Sequence, residues 1–82
     1  MPAQSQKPVT IYSTPTCGFC DAAKTFFKEN GVKYTEHNVA DDEDKRNEMF
    51  EKSGQMGVPV IDIGGEIIVG FNKGKLKTLL GV

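Results

Sequence analysis

One stretch of sequence decides the fold: VTIYSTPTCGFC, at residues 9–20. Residues 7–12 are rich in β-branched and aromatic side chains, which predicts a first strand. Residues 13–16 include a proline and three hydroxyl side chains, which is typical of a turn. Thr16 is the candidate N-cap of a following helix. The chain therefore starts as a strand, a turn and a helix.

The segment after the turn has the pattern of an amphipathic helix. Its apolar residues recur at the spacing i, i+3, i+4, i+7 and i+8, which forms one stripe along a helix. They are Phe19, Ala22, Ala23, Phe26 and Phe27. Asn30-Gly31 ends the predicted helix, because glycine suits the left-handed position that follows a helix.

The chain has two cysteines, Cys17 and Cys20. Secreted mini-proteins that depend on disulfides carry more cysteines, spread along the chain. A bridge between these two would close a very small loop, and loop-closure stabilisation grows with loop length. The pair is therefore a candidate for chemistry more than for architecture.

Both cysteines fall at the predicted N-terminus of the first helix. Partial positive charge and free backbone N–H groups there favour a thiolate over a thiol. A free cysteine pKa of about 8.5 can fall to about 7 or lower in such a setting. Cys17 lies nearer the helix end and is the predicted nucleophile, and Cys20, one turn inside, is suited to attack the mixed disulfide.

The remaining elements follow in the order strand, helix, strand, strand, helix. They are an edge strand at 32–38, a helix from Asp41-Asp42 with apolar residues Met49 and Phe50, a loop at 53–57, strands at 58–63 and 66–69 around Gly64-Gly65, and a last helix carrying Leu76, Leu79 and Leu80. A right-handed crossover makes the first two strands parallel, and the glycine pair predicts an antiparallel hairpin. The prediction is an α/β fold, β-α-β-α-β-β-α, with a four-stranded mixed sheet and three helices covering both faces.

Pro59 stands at the first position of the predicted third strand. Proline there removes a ladder donor unless the position is at an edge or faces a ligand. Bonds that precede proline are also where cis peptides occur. We expect a cis Val58–Pro59 bond that leaves the Val58 backbone free to pair with an extended substrate.

The length and charge of the chain limit the classes of protein to which it can belong. The chain has 82 residues, with 10 Lys and Arg against 11 Asp and Glu, for a net charge of −1. This length predicts one domain at residues 1–82, with a flexible tail at 1–6. No basic excess favours nucleic acid, and no apolar stretch is long enough to span a membrane. The first residues lack the apolar core of a signal peptide, which predicts a cytoplasmic protein.

These motifs together resemble the glutaredoxin family, whose members have the thioredoxin fold. The resemblance extends over residues 9–80. It depends on four motifs in register: Tyr12-Ser13-Thr14-Pro15-Thr16-Cys17-Gly18-Phe19-Cys20, Gly57-Val58-Pro59-Val60, the Gly64-Gly65 hairpin, and Gly70-Phe71-Asn72. It implies a thiol–disulfide oxidoreductase in which Cys17 is the nucleophile and Cys20 the resolving thiol.

The resemblance also implies a substrate surface and a set of partners. The residues assigned to the surface are Thr16, Phe19, Val58, Pro59, Phe71 and Asn72. The implied protein is a monomer that reduces a disulfide-containing protein or a small thiol substrate. Its redox-active disulfide needs no metal or organic cofactor.

The resemblance leaves two candidate electron donors, a thioredoxin reductase and glutathione. Glutathione-dependent members commonly have a basic residue just upstream of the first cysteine, where this chain has Thr14. They also have a Gly-Gly followed by an acidic pair, where this chain has Gly70-Phe71-Asn72-Lys73. Both differences favour the glutaredoxin-like proteins that thioredoxin reductase recharges. Glutathione stays the alternative donor and co-substrate, as in a glutathione-dependent glutaredoxin proper.

Other interpretations of the same residues remain. A dimeric module could hold zinc between cysteine pairs and His37, or bridge an iron–sulfur cluster as single-cysteine relatives do, although Cys20 favours disulfide exchange. Phe19 belongs either to the core or beside the substrate thiol. Residues 41–46 are predicted to be a solvated helix face with internal ion pairs, and His37 a solvated strand residue. Met56 either fills a gap in its loop or lines the substrate groove.

Overall fold

The computed structural model describes residues 8–55 and 57–81. Over these residues the chain forms strands and helices in the predicted order. They are β1 (Val9–Ser13), α1 (Gly18–Glu29), β2 (Thr35–Asn38), α2 (Glu43–Ser53), β3 (Val60–Ile63), β4 (Glu66–Val69) and α3 (Lys73–Leu80). The tail predicted at residues 1–6 and the two roles weighed for Met56 lie outside the described residues.

The strands form one mixed sheet in the order β2-β1-β3-β4. β1 and β2 are parallel, while β1 with β3 and β3 with β4 are antiparallel. This confirms the predicted crossover and hairpin, and it places β2 at an edge. In the register, Val60 pairs with Tyr12 on one side and with Val69 on the other. The end of β1, the start of β3 and the end of β4 therefore lie together at one end of the sheet.

Helices cover both faces of the sheet, as predicted. α1 and α3 pack on one face, because alternate strand residues point there and meet the apolar stripes of both helices. The buried members of this cluster are Val9, Ile11, Ala23, Phe26, Phe27, Val32, Ile61, Ile63, Ile68 and Leu76, with Leu79 and Leu80 packed partly buried against them. α2 packs on the other face, where the cluster is much smaller: Tyr12, Val39, Met49 and Val60.

Three predicted strands begin later in the structure than in the prediction. β1 starts at Val9, after Pro8, and it includes Ser13, which was predicted to lie in the turn. β2 starts at Thr35 because the Val32 N–H donates to the Phe27 carbonyl at 2.8 Å, which uses residue 32 to close the end of α1. β3 starts at Val60, so the placement of Val58 and Pro59 inside this strand was wrong. Proline has no N–H to give to the sheet.

α2 begins at Glu43, one residue after its N-cap Asp42, whose side chain accepts from the Lys45 N–H. The predicted start at Asp41-Asp42 was therefore too early: Asp42 is the N-cap, and Asp41 lies in the turn before it. Phe50 is 48% exposed, so its assignment to the apolar face was wrong, whereas Met49 is fully buried. The first turns are largely exposed and carry a Lys45–Glu48 ion pair of 3.6 Å. The predicted solvation is confirmed for residues 41–44, whereas Lys45 and Arg46 are half-buried and the ion pair reaches Glu48, outside the predicted run.

The helices are short. α1 has 12 residues, which at 1.5 Å per residue is about 18 Å, against about 30 Å of bilayer hydrocarbon. Across residues 8–55 and 57–81, no helix combines the length and the apolar character needed to cross a membrane.

The small second cluster makes α2 sensitive to a single substitution. We expect Met49→Ala to lower the free energy of unfolding by about 2–5 kcal/mol, because it opens a cavity under the helix. Phe50→Ala, at the neighbouring exposed position, should cost less than about 1 kcal/mol. Urea unfolding followed by circular dichroism measures both. Equal losses would place Phe50 in the core and contradict the assignment.

Candidate active site

A disulfide joins Cys17 and Cys20, whose Cα atoms are 5.2 Å apart. Cys17 is the N-cap of α1: its backbone is extended, with φ −97° and ψ 111°, and its Sγ accepts a hydrogen bond of 3.0 Å from the Cys20 N–H. The prediction of Thr16 as N-cap was wrong by one residue. The Cys17 N–H donates to the Thr14 carbonyl at 3.3 Å, so the turn runs to Cys17 and brings its sulfur to a free helix N–H.

The two sulfurs differ in access. Cys20 is fully buried beneath the first turn of α1, while Cys17 is half-buried at its tip. A molecule arriving from solvent therefore meets Cys17 first. Cys20 can be reached only from Cys17 or from inside the fold, which is the arrangement predicted from the order of the cysteines along the helix.

Sheet register brings two further predicted segments to the cysteine end of the molecule. Cys17 follows β1, Pro59 immediately precedes β3, and Gly70 follows β4; all three strand ends lie side by side. The Gly70 N–H donates to the Pro59 carbonyl at 2.8 Å, which ties two of the segments together. The Val58–Pro59 bond is cis, as predicted, and Pro59 is buried.

Three of the predicted surface residues differ in exposure. Phe19 is 69% exposed, which excludes the core as its place and leaves the ring in solvent between the cysteines. Thr16 is exposed in the turn before Cys17. Val58 is half-buried, and its side chain packs against the cluster beneath α2. Part of the residue therefore stays at the surface, next to the exposed Gly57.

Phe71 and Asn72 have structural contacts of their own. The Phe71 ring packs edge-on against Phe26, with centroids 6.2 Å apart, and is half-buried in the larger core cluster. Asn72 is the N-cap of α3 and accepts from the Lys75 N–H at 3.1 Å through its Oδ1. Asn72 is exposed, but its side-chain oxygen is already used by the helix.

A polar network lies behind this site, on the α2 face of the sheet. The Tyr12 ring is fully buried, and its hydroxyl donates to the Glu48 carboxylate. Lys52 donates to the same hydroxyl at 2.9 Å and to the Asp62 carboxylate at 2.8 Å. The Lys52 ammonium also lies 5.4 Å from the centre of the Tyr12 ring. The network therefore joins β1, α2 and β3.

Each member of the network has a shifted pKa. Burial and the bond to Glu48 raise the pKa of Tyr12, and the same bond is the main cause of a lowered Glu48 pKa. The bonds to Asp62 and Tyr12 raise the pKa of Lys52. Burial opposes ionisation of Asp62, but the bonds from Lys52 and the Gly65 N–H prevail and lower its pKa. All three charged groups are held in their charged forms.

Comparison with known proteins gives the family. The family model for glutaredoxin matches residues 9–68. The chain belongs to the glutaredoxin family. Over 72 residues it is 49% identical to the uncharacterized glutaredoxin-like 8.6 kDa protein in the rubredoxin operon of Clostridium pasteurianum, which covers 88% of this chain and 96% of that protein.

Two more relatives agree with the assignment. Glutaredoxin 3 of Escherichia coli (strain K12) is 37% identical over 62 residues, which is 76% of this chain and 75% of that protein. The crystal structure of the thioredoxin-like protein BC3987 superposes with a TM-score of 0.83 and 35% identity, covering 88% of this chain and 99% of that chain. Together with the Cys17–Cys20 pair, the family supports a thiol–disulfide oxidoreductase.

A second polar contact in this glutaredoxin holds the strand that leads to Cys17. Ser13 is buried, and its Oγ donates to the Glu36 carboxylate at 2.8 Å. Lys24 of α1 donates to the same carboxylate at 2.9 Å. The bonds from Lys24 and Ser13 lower the pKa of Glu36, and the bond to Glu36 raises the pKa of Lys24. The contact ties the end of β1 to β2 and to α1.

Neither polar contact was among the sequence predictions. One available signal was the i, i+4 spacing of Glu48 and Lys52, which lie 4.0 Å apart on α2. The other was that a buried tyrosine hydroxyl needs a partner, but Tyr12 was treated only as a strand former.

His37 has a different environment from the predicted solvated one. It is half-buried, and its ring centre lies 5.5 Å from that of Tyr12. In the part of the chain that the structure describes, no three His, Cys, Asp or Glu side chains are grouped so that they could hold a metal ion.

Acid should weaken this fold through Glu36, Glu48 and Asp62. Each has a folded-state pKa below its ordinary value, so its stabilising effect is complete above the unfolded-state pKa of about 4 and is lost as pH falls through the folded-state pKa. We expect the free energy of unfolding, measured in urea, to fall from about pH 5 to about pH 2.

Glu36→Gln should lower stability at neutral pH and flatten this fall, because its carboxylate no longer contributes. Glu51→Gln, exposed on α2, is the control and should change the pH profile little. An unchanged profile in Glu36→Gln would contradict the assigned role of the carboxylate.

Proposed function

We propose that this glutaredoxin reduces disulfides by two-step exchange through Cys17 and Cys20, acting as a monomer in the cytoplasm. The observation that carries the proposal is the N-cap geometry. The half-buried Cys17 sulfur accepts a helix N–H, and the fully buried Cys20 sulfur is bonded directly behind it. The helix N-terminus favours the thiolate form that attacks a disulfide.

The cycle balances without a metal or an organic cofactor. The Cys17 thiolate attacks one sulfur of a substrate disulfide, forming a mixed disulfide and expelling the other sulfur as a thiolate that takes a proton. Cys20 then loses its proton and attacks the Cys17 sulfur, which releases the second substrate thiol and closes the Cys17–Cys20 bridge. Two electrons pass from the dithiol to the substrate, and an external reductant restores the dithiol.

The substrate lies, in this proposal, where the three segments meet at the end of the sheet. The backbone of Val58 pairs with an extended stretch of substrate, and Pro59 holds that segment beside the disulfide. Phe19, exposed between the cysteines, contacts the residues that flank the substrate sulfur. Thr16, Phe71 and Asn72 border the same surface, Phe71 only through the part of its ring that the core leaves exposed.

We further propose a thioredoxin reductase as the electron donor, with glutathione as the second candidate. Glutathione carries an ammonium group, and the first turn of α3 contains no acidic residue to receive it. That turn begins with Lys73, and the Asn72 oxygen is already bonded to the Lys75 N–H. These groups favour a protein donor that delivers electrons directly to the disulfide.

The roles of the two cysteines are separable by mutation. We expect Cys17→Ser to abolish reduction of a peptide disulfide, because no other thiol is accessible. Cys20→Ser should keep the first attack and accumulate the mixed disulfide, visible by mass spectrometry as a covalent adduct on Cys17. Equal loss in both variants without an adduct would contradict the assigned roles. An iron-coloured dimer without reductase activity would favour the metal-binding alternative instead.

The donor is tested by assaying peptide-disulfide reduction with each reducing system. We expect turnover with NADPH and a thioredoxin reductase, and at least about tenfold slower turnover with glutathione and its reductase, a difference of about 1.4 kcal/mol in the barrier. Lys73→Glu is the informative variant, since it supplies an acidic group to α3 and should raise the glutathione rate. A faster glutathione rate in the parent protein would reverse the assignment.

A further inference from the structure

The Tyr12 network described above joins the site to α2. A buried phenol needs hydrogen-bond partners, since an unsatisfied hydroxyl in the interior is costly. Tyr12 finds both of its partners on α2: its hydroxyl donates a hydrogen bond to the Glu48 carboxylate, and Lys52 donates one to its oxygen. Tyr12, one residue before the end of the strand that leads to Cys17, is therefore coupled to α2 and, through Lys52, to its last turn.

Lys52 makes a second connection from that turn. Its ammonium donates to Asp62 in β3 at 2.8 Å, and the Asp62 side chain is only 17% exposed. Charge-assisted bonds of this kind are stronger and more directional than neutral ones. One side chain thus fixes the end of α2 against both central strands.

The segment that carries Val58 departs from the same turn. α2 ends at Ser53, and Gly54 follows as its left-handed C-cap, with φ 75°. The Ser53 hydroxyl closes the turn after the helix, because its oxygen accepts from the Gln55 N–H at 3.2 Å while its proton is donated to the Met49 carbonyl at 2.8 Å. At its far end the segment enters β3 at Val60, two residues before Asp62. Lys52 therefore lies in the turn from which the segment departs, and its partner Asp62 lies in the strand that the segment enters.

Tyr12 also supports this segment from beneath. Val60 is its neighbour across the β1–β3 ladder, and Val58 packs against the cluster that contains the Tyr12 ring. A shift of the Tyr12 ring or of α2 would move Val58 relative to Cys17, because Val58 packs on the cluster that contains Tyr12 and Met49.

We propose that Lys52 is a positioning residue for substrate binding: through Tyr12 and Asp62 it sets the place of Val58 opposite Cys17. The proposal rests on the function proposed above, in which Val58 pairs with the substrate backbone. The partners of Lys52 are Tyr12, Glu48 and Asp62, so in this proposal it acts on the substrate only through the position of Val58. Its effect is therefore confined to substrates that have a peptide backbone.

The test compares Lys52→Met with Lys45→Met. Both remove an ammonium from α2 at side chains of equal exposure, 35%, but Lys45 pairs with Glu48 and not with a strand. Each protein is reduced with dithiothreitol, freed of it, and mixed in stopped flow with either a short peptide disulfide or 2-hydroxyethyl disulfide. No electron donor is needed for this single turnover.

We expect Lys52→Met to slow the peptide reaction about three- to tenfold, since a small misplacement of a substrate-positioning group is costly. The reaction with 2-hydroxyethyl disulfide, which has no peptide backbone, should stay within about twofold of the parent rate. Lys52→Arg should restore the peptide rate, and Lys45→Met should change neither. Equal slowing with both disulfides, or no slowing in folded Lys52→Met, would overturn the proposal.

A readout independent of activity separates this proposal from the proposed function. The amide resonance of Val58 in a ¹⁵N correlation spectrum should shift in Lys52→Met and not in Lys45→Met. If the parent protein reacts with neither disulfide, the proposed function fails, and the Val58 shift still decides whether Lys52 positions the segment. Should Lys52→Met unfold, Asp62→Asn leaves the Lys52–Tyr12 bond in place and is measured in the same way, with an unshifted Val58 again overturning the proposal.

Discussion

The antiparallel pairing of β1 with β3 is the constraint on which the site depends. It sets Tyr12 opposite Val60, so the turn that leaves β1 and the segment that enters β3 share one end of the sheet. A slip of one residue would turn the Tyr12 ring to the other face and away from α2. Ile11 is buried on one face of the sheet and Tyr12 on the other. This fixes the register, because a slip of one residue in either direction would exchange the side chains that face the two clusters.

Helix capping and redox chemistry use the same atom. Serine, threonine, aspartate and asparagine are the preferred N-caps because their oxygens accept well from the free N–H groups. A neutral thiol is a weak acceptor, whereas a thiolate is a charged one and also gains from the helix dipole. Placing Cys17 at the cap, one residue beyond Thr16, therefore makes the helix better capped by the reactive form of the site than by its neutral form.

Short-range sequence patterns were enough to predict the helices and strands. They failed where contacts between residues distant in sequence determine which side chains are buried or hydrogen-bonded. The Phe26 and Phe27 stripe, the glycine pair at 64–65 and the Val58–Pro59 bond each have a short-range signal, and all three were predicted. Phe50 was misplaced because α2 has few apolar residues and its orientation depends on polar bonds. The Tyr12–Glu48 bond joins residues 36 apart in sequence, and no short-range pattern contains that information.

The polar network is a consequence of how little α2 can bury. Most amphipathic helices are oriented by their apolar face, but α2 contributes only Met49 to the core among its described residues. The hydrogen bond that Glu48 accepts and the two that Lys52 donates supply the orientation that burial leaves undetermined, because charge-assisted hydrogen bonds are directional and apolar contacts are not. α2 is thus held at a defined angle by two charged side chains and one buried hydroxyl.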